Sequence, residues 1–133
     1  MATVVVDTCV LSFLHKNHEN ADLYRPHLEN QLKVISFMTV AELYRWAIER
    51  NWGEYQKAKL DERLKDYFVY GVNEPLCQQW ASITAEASSK GTPIEVDDAW
   101  IAATALLYDY PLITHNRKDF EVVPALKVVS EAP

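Results

Sequence analysis

Glycine is scarce in this chain, with three in 133 residues: Gly53, Gly71 and Gly91. No two are close enough to form a G-x-G-x-x-G loop, which excludes a dinucleotide-binding oxidoreductase. Cysteine is scarcer still. Cys9 and Cys77 do not space as zinc ligands with His15, His18, His27 or His115. A chain with room for a full core needs no disulfide, so both read as buried small apolar residues, and His15, His18 and His27 as surface residues. No apolar run approaches the roughly 20 residues of a membrane span. Nor does the start carry a basic segment followed by a long apolar core. A cytoplasmic protein without membrane contact is therefore expected. Basic residues are outnumbered 13 to 19 by acidic ones, for a formal net charge of -6. Domains that hold nucleic acid by general electrostatics are usually basic, so contact with a polyanion here has to be local or carried by metal. The acidity also suits a basic protein partner.

Hydrophobic residues make up 49% and charged residues 24%, the balance of a globular chain, and the length predicts one domain over residues 1–133. Thr3-Val4-Val5-Val6-Asp7-Thr8 sets the frame. Three consecutive β-branched residues favour a strand, and a run without polar alternation predicts burial on both faces, as in a central parallel strand covered by helices. Val10 to Leu14 reads as a short helix, Asp22 to Leu32 as a helix interrupted or started by Pro26, and Lys33 to Ser36 as a strand. From Thr39 the spacing of Val40, Leu43, Tyr44, Ala47 and Ile48 predicts one face of a helix. Glu54 to Tyr67 reads as a charged surface helix, Phe68 to Tyr70 as a strand, and Glu74 to Lys90 as a helix stopped by Gly91. Asp97 to Tyr108 is apolar on nearly every side, which predicts a buried helix. Leu112 to Thr114 and Leu126 to Val129 complete the strands. Short strands alternating with helices predict a parallel α/β sandwich.

The acids fall at the junctions. Asp7 ends the first strand, Glu42 lies in the first turn of the helix that starts at Thr39, and Asp97 and Asp98 open the buried helix. In a parallel sheet these junctions share one edge, where ligands bind. Convergent carboxylates repel one another unless some protonate or a cation enters, and hard oxygen ligands suit magnesium or manganese. Each acid also has a structural explanation. Asp7 or Thr8 can cap the next helix, Thr39-Val40-Ala41-Glu42 has the form of a capping box, and Asp97 or Asp98 can stabilise a helix start.

Four blocks in order extend this reading over almost the whole chain: Val5-Val6-Asp7-Thr8, Thr39-Val40-Ala41-Glu42-Leu43, Asp98-Ala99-Trp100-Ile101-Ala102-Ala103-Thr104-Ala105, and Leu112-Ile113-Thr114-His115-Asn116 followed by Asp119-Phe120. With them the chain resembles the PIN-domain family, in particular the VapC-type toxins of bacterial toxin-antitoxin pairs. The resemblance implies a three-layer sandwich with a central, mainly parallel sheet, and a metal-dependent endoribonuclease that uses water to cut RNA. By position it assigns Asp7, Glu42 and Asp98 to holding Mg2+ or Mn2+, with Asn116 or Asp119 as the variable fourth position. Asp98 has the family's offset from Ile101-Ala102-Ala103, with Asp97 as the alternative. Thr8 and Thr114 match hydroxyls that orient the acids or a water. Arg45, Arg50, Arg117 and Lys118 are candidate phosphate contacts, whereas Lys57, Lys59, Arg63 and Lys65 read as a solvated face. The family likeness places Tyr44, Trp46 and Trp52 beside the binding region of a VapB-like antitoxin, with Trp46 equally suited to the core, and implies a homodimer.

Other classes fit less well. A haloacid dehalogenase-type phosphatase wants a second Asp at position 9, where Cys9 stands, and a receiver module wants an acidic pair beside Asp7. Nothing marks a Ser-His-Asp arrangement. The strongest rival is a catalytically inactive PIN-fold binding module.

Overall fold

The apolar stretch that opens the chain runs through the middle of the molecule. In the computed structural model, which describes residues 1–133, Thr3–Val6 forms β1. It is the central strand of a five-stranded sheet of order β3-β2-β1-β4-β5, where β2 is Leu32–Ser36, β3 Phe68–Tyr70, β4 Leu112–Ile113 and β5 Val128–Val129. Every pairing is parallel, so the sheet is wholly rather than mainly so. Successive side chains of a strand point to opposite faces. Val4 and Val6 enter one core and Val5 the other, which is why the run carries no polar alternation.

Helices cover both faces, giving a three-layer α/β sandwich. α1 (Thr8–Lys16), α2 (Ala21–Leu28), α3 (Phe37–Glu49) and α4 (Glu54–Leu64) bring Leu11, Leu14, Tyr24, Leu28, Leu43 and Leu60 to one core. α5 (Glu74–Ser89), α6 (Val96–Tyr108) and the short α7 (Arg117–Phe120) bring Leu76, Ile83, Ile101 and Phe120 to the other. Full burial of each such side chain contributes about 1.5–3 kcal/mol. Along α6 the buried Ala99, Ala102, Ala103 and Ala105 allow close approach to α5 and the sheet, and Trp100 stacks on Trp80 of α5 at 5.1 Å.

With glycine so rare, left-handed backbone falls to Asn17, Asn30, Asn51 and Asp109, at φ of 53°, 60°, 52° and 56°, and to Gly91 at 74°. Asn and Asp tolerate that region better than other side chains. Several sequence expectations shift accordingly. The helix expected to reach Leu32 ends at Leu28, before the turn at Asn30, and Leu32 begins β2 instead. Pro26 lies inside that helix, where it neither starts nor interrupts it. α4 stops at Leu64, short of Tyr67, and α6 begins one residue early with Glu95 as its N-cap.

The largest correction concerns α3. It starts at Phe37, because the buried Ser36 caps it by accepting the Met38 N–H at 3.0 Å. The capping box at Thr39 therefore does not form, and Glu42 sits in the second turn rather than the first. Leu43 and Ala47 are buried from that helix, but Tyr44 is 45% and Ile48 74% exposed, so the five-residue face is only partly a core face. Cys77 is exposed, not buried. His15 is buried, not at the surface, with its ring stacked on Trp52 at 4.9 Å.

Candidate active site

Having laid β2 and β3 on one side of β1, the chain returns to place β4 and β5 on the other. The crevice at such a reversal, at the carboxyl ends of the strands, is the ligand-binding position of open parallel sheets. Val6 pairs with Ile113 across β1 and β4, so the next residues, Asp7 and Thr114, stand side by side. Asp7 is only 4% exposed. Its Oδ1 accepts the Thr8 N–H at 2.8 Å, and its Oδ2 accepts the Thr114 hydroxyl at 2.7 Å and the Cys9 thiol at 3.3 Å. It is also the N-cap of α1, so capping and a site role coexist in one residue. Burial raises its pKa above the ordinary carboxyl value, the hydrogen bonds oppose that rise, and the Asp119 charge adds to it. The Cys9 thiol is pushed up to about 12 by burial and then by Asp7. It stays protonated and offers no thiolate nucleophile.

Thr8 links the strand end to α3. Its hydroxyl donates to Glu42 Oε1 at 2.7 Å and lies 2.9 Å from Thr39 Oγ1. Burial, then the neighbouring Asp97, pushes the Glu42 pKa up to about 8. Asp98, at the start of α6, is pushed up to about 7 by burial, then by the charges of Asp7, Asp97, Asp119 and Glu95. These acids line one cavity of about 370 Å³, together with Thr8, Cys9, Trp46 and Asn116. Both candidates for the fourth position are present: Asn116, whose backbone N–H donates to Thr114 Oγ1 at 3.0 Å, and Asp119 of α7.

Arg117 and Lys118 lie outside this cavity. They line an adjoining one of about 350 Å³ with His115, Asn116 and Asp119. On the opposite side Glu42, Trp46, Glu95 and Asp97 are shared with a cavity of about 510 Å³, whose wall includes Met38, Arg45 and Val96. The three form one groove across the sheet edge, with the acids in the middle. Arg45 is engaged by Glu49 at 3.3 Å, and Arg50 lies over the Trp46 ring at 4.9 Å. Trp46 and Trp52 are half-buried against the first core, and Tyr44 donates to Asp61 of α4 at 3.0 Å. Sequence reasoning missed Glu95, which precedes Asp98 by three residues and so shares its side of the helix start. It also missed Tyr24, whose buried hydroxyl hydrogen-bonds His115 Nδ1 and accepts the Glu131 N–H at 3.0 Å.

Carboxylates crowded until protons return at neutral pH are a donor set for a hard cation. No three His, Cys, Asp or Glu side chains are arranged to grip an ion together. Magnesium, however, keeps several waters and takes one or two carboxylates directly, so carboxylates that share a cavity without closing on one point are compatible with it.

A parallel sandwich with an acid-lined cleft at its switch point defines an α/β protein whose carboxylates gather at the ligand-binding edge of the sheet. The PIN domain model matches residues 4–126, and a Haemophilus influenzae (strain R2866) protein named "Ribonuclease VapC1" is 33% identical over 128 residues, 92% of this chain and 93% of that one. The chain belongs to the PIN domain family. A Rickettsia bellii protein named "Ribonuclease VapC" is 38% identical over 72 residues, 52% of each chain. Among solved structures, VapBC-1 from nontypeable Haemophilus influenzae superposes with a TM-score of 0.78 at 28% identity, covering 98% of both chains. DNA-bound VapBC from Salmonella typhimurium gives 0.86 at 24% identity with the same coverage, a likeness of fold.

Proposed function

We propose that the chain, as a single PIN domain over residues 1–133, is a VapC-like endoribonuclease toxin. It hydrolyses RNA phosphodiester bonds in the cytoplasm, inhibiting translation and growth, and a VapB-like antitoxin neutralises it. One observation carries this reading: Asp7, Glu42 and Asp98, from three separate elements, line one cavity in which burial and neighbouring acids raise their proton affinity. The ribonuclease names of the relatives and the toxin-antitoxin titles of the neighbouring structures support it.

Asp7, Glu42 and Asp98 are the holders of Mg2+ or Mn2+, with Asn116 or Asp119 as the fourth position; such an ion supplies an acidified water and counter-charge for phosphoryl oxygens. The chain's own residues do the rest. Thr114 and Thr8 fix the orientation of Asp7 and Glu42 through short hydroxyl bonds. Cys9, held as a thiol, cannot compete with water as nucleophile. Arg117 and Lys118, without ion-pair partners in the adjoining cavity, are positioned to take flanking phosphates. Tyr24 holds the His115 ring at the rim.

The exposed Tyr44 and Ile48 stripe of α3, with Tyr55 at the start of α4, offers an apolar surface to an amphipathic antitoxin helix. The toxin itself acts as a homodimer. The test is expression without antitoxin, with cellular RNA 5′ ends sequenced. Wild type should arrest growth and create new ends. Asp7→Asn and Asp98→Asn should do neither, and co-expressed antitoxin should relieve the arrest. Identical RNA ends from wild type and Asp98→Asn would overturn the nuclease reading in favour of an inactive PIN-fold binding module.

A further inference from the structure

At the far end of α1 the chain buries a polar side chain that nothing satisfies. His15 is 3% exposed, and neither ring nitrogen has a hydrogen-bond partner. One face of the ring stacks on Trp52, and the residue lines a cavity of about 400 Å³ with Lys16, Arg50, Trp52 and Gln56. Gln56 lies beside the imidazole without closing a hydrogen bond of good geometry.

The surroundings are cationic. Lys16 is the last residue of α1 and Arg50 caps the end of α3. Gln56, Lys59 and Arg63 recur along one stripe of α4 at i, i+3 and i+7. The charges of Arg63, Lys59 and Lys16 all act on His15 and that of Arg50 acts on Lys16. The ion pairs of the chain engage other cations. The Nε of Arg63 is itself buried and unpartnered. In a protein of net charge -6, Lys16 and Arg50 line this cavity without an acidic partner, the Arg50 guanidinium lying over the Trp46 ring, and Lys59 and Arg63 add positive charge beside the imidazole. Leaving the buried imidazole nitrogens of His15 unsatisfied is unfavourable, and a multi-oxygen anion supplies an acceptor for them and a counter-charge for the exposed Lys16 and Arg50. Guanidinium, ammonium and imidazole groups lining one cavity suit phosphate in particular.

We propose that this cavity is a phosphate-binding site, separate from the acid cleft, in which Arg50, Lys16 and the imidazole of His15 hold the oxyanion and Gln56 supplies a further donor. Eight residues of α1 separate it from Asp7, about 12 Å along the helix axis. The site takes either a free phosphate monoester or a backbone phosphate of a nucleic acid strand. It does not rest on the nuclease reading, since none of its residues belongs to the acid cleft.

The experiment uses the full chain in metal-free buffer, with the His15 ring followed by NMR. Inorganic phosphate, a nucleoside 5′-monophosphate and a five-nucleotide 2′-O-methyl oligonucleotide are added in separate titrations. A saturable His15 response is expected, at least 5-fold weaker in Arg50→Gln and in Lys16→Gln, both at exposed positions, and unchanged in Asp7→Asn. Tenfold tighter binding of the oligonucleotide than of the monophosphate assigns the site to a nucleic acid backbone, and equal affinities assign it to a free anion. No saturable response to any of the three overturns the proposal. So does an equal response in wild type and both variants.

Discussion

Asp98 is held where its own charge is unfavourable. Its pKa of about 7 in the fold stands above the ordinary 3.8, so between those values the folded chain binds a proton more tightly than the unfolded one. The associated stability is complete below about pH 4 and is lost as pH rises through about 7. Asp98→Asn removes the penalty. In chelator, the variant should melt with wild type near pH 4 and above it by a few degrees at pH 8, on the order of 1 kcal/mol after allowance for solvent screening of a half-exposed group. Added magnesium should stabilise wild type and not the variant. Melting curves across pH check both, and a pH-independent gap would show that burial of Asp98 carries no such penalty. The junction positions of Asp7, Asp97 and Asp98 were legible in sequence, because a strand run and a helix pattern mark where each acid must stand. His15 was not. Its burial depends on Trp52 from a loop 37 residues further on, and no local pattern encodes that stacking.

Tyr24 is the joint between elements. From α2 its buried hydroxyl reaches the Thr114 carbonyl at 3.4 Å, the His115 ring and the Glu131 N–H, tying the end of β4 and the C-terminal segment to the first core. Tyr24→Phe keeps the ring and removes all three, leaving the buried Thr114 carbonyl without this partner and the half-buried His115 ring and Glu131 N–H without theirs. A loss of about 1–3 kcal/mol is expected in denaturant unfolding, with amide exchange accelerated at Glu131 and not in the core strands. Unchanged exchange at Glu131 would show that the segment is held by other contacts. At this scale the order and type of the elements were legible and their ends were not. Ser36 ends a strand and caps a helix at once, so the helix begins two residues before Thr39, the residue whose spacing to Glu42 imitates a capping box. That displacement frees Glu42 from the cap and brings it to Thr8 instead, 34 residues away in sequence. The same ambiguity hid the end of α2, where Asn30 makes the left-handed turn that a glycine would have announced.

Across the whole molecule, an acidic protein with an acidic cleft has to bring a polyanion to its most negative point. Steering by net charge is unfavourable at -6, so attraction has to come from the rim, where Arg117 and Lys118 line the cavity next to the acids. Each phosphate contact releases condensed counterions, which gives binding a salt slope. Under the nuclease reading, Arg117→Ala and Lys118→Ala should each flatten the dependence of RNA binding on log salt by about 1. The double variant should cleave more slowly than wild type at low salt and approach it at high salt, where the contacts are already screened. Both proteins should keep the same melting temperature, because these side chains are exposed and carry no ion pair. Cleavage by the double variant that runs parallel to wild type over a series from roughly 50 to 300 mM salt would place the strand along the opposite arm of the groove, past Arg45 and Trp46. An acidic ribonuclease of this design gains affinity from a few placed cations rather than a basic face, so its activity should fall with ionic strength more gently than that of a basic nuclease with many phosphate contacts.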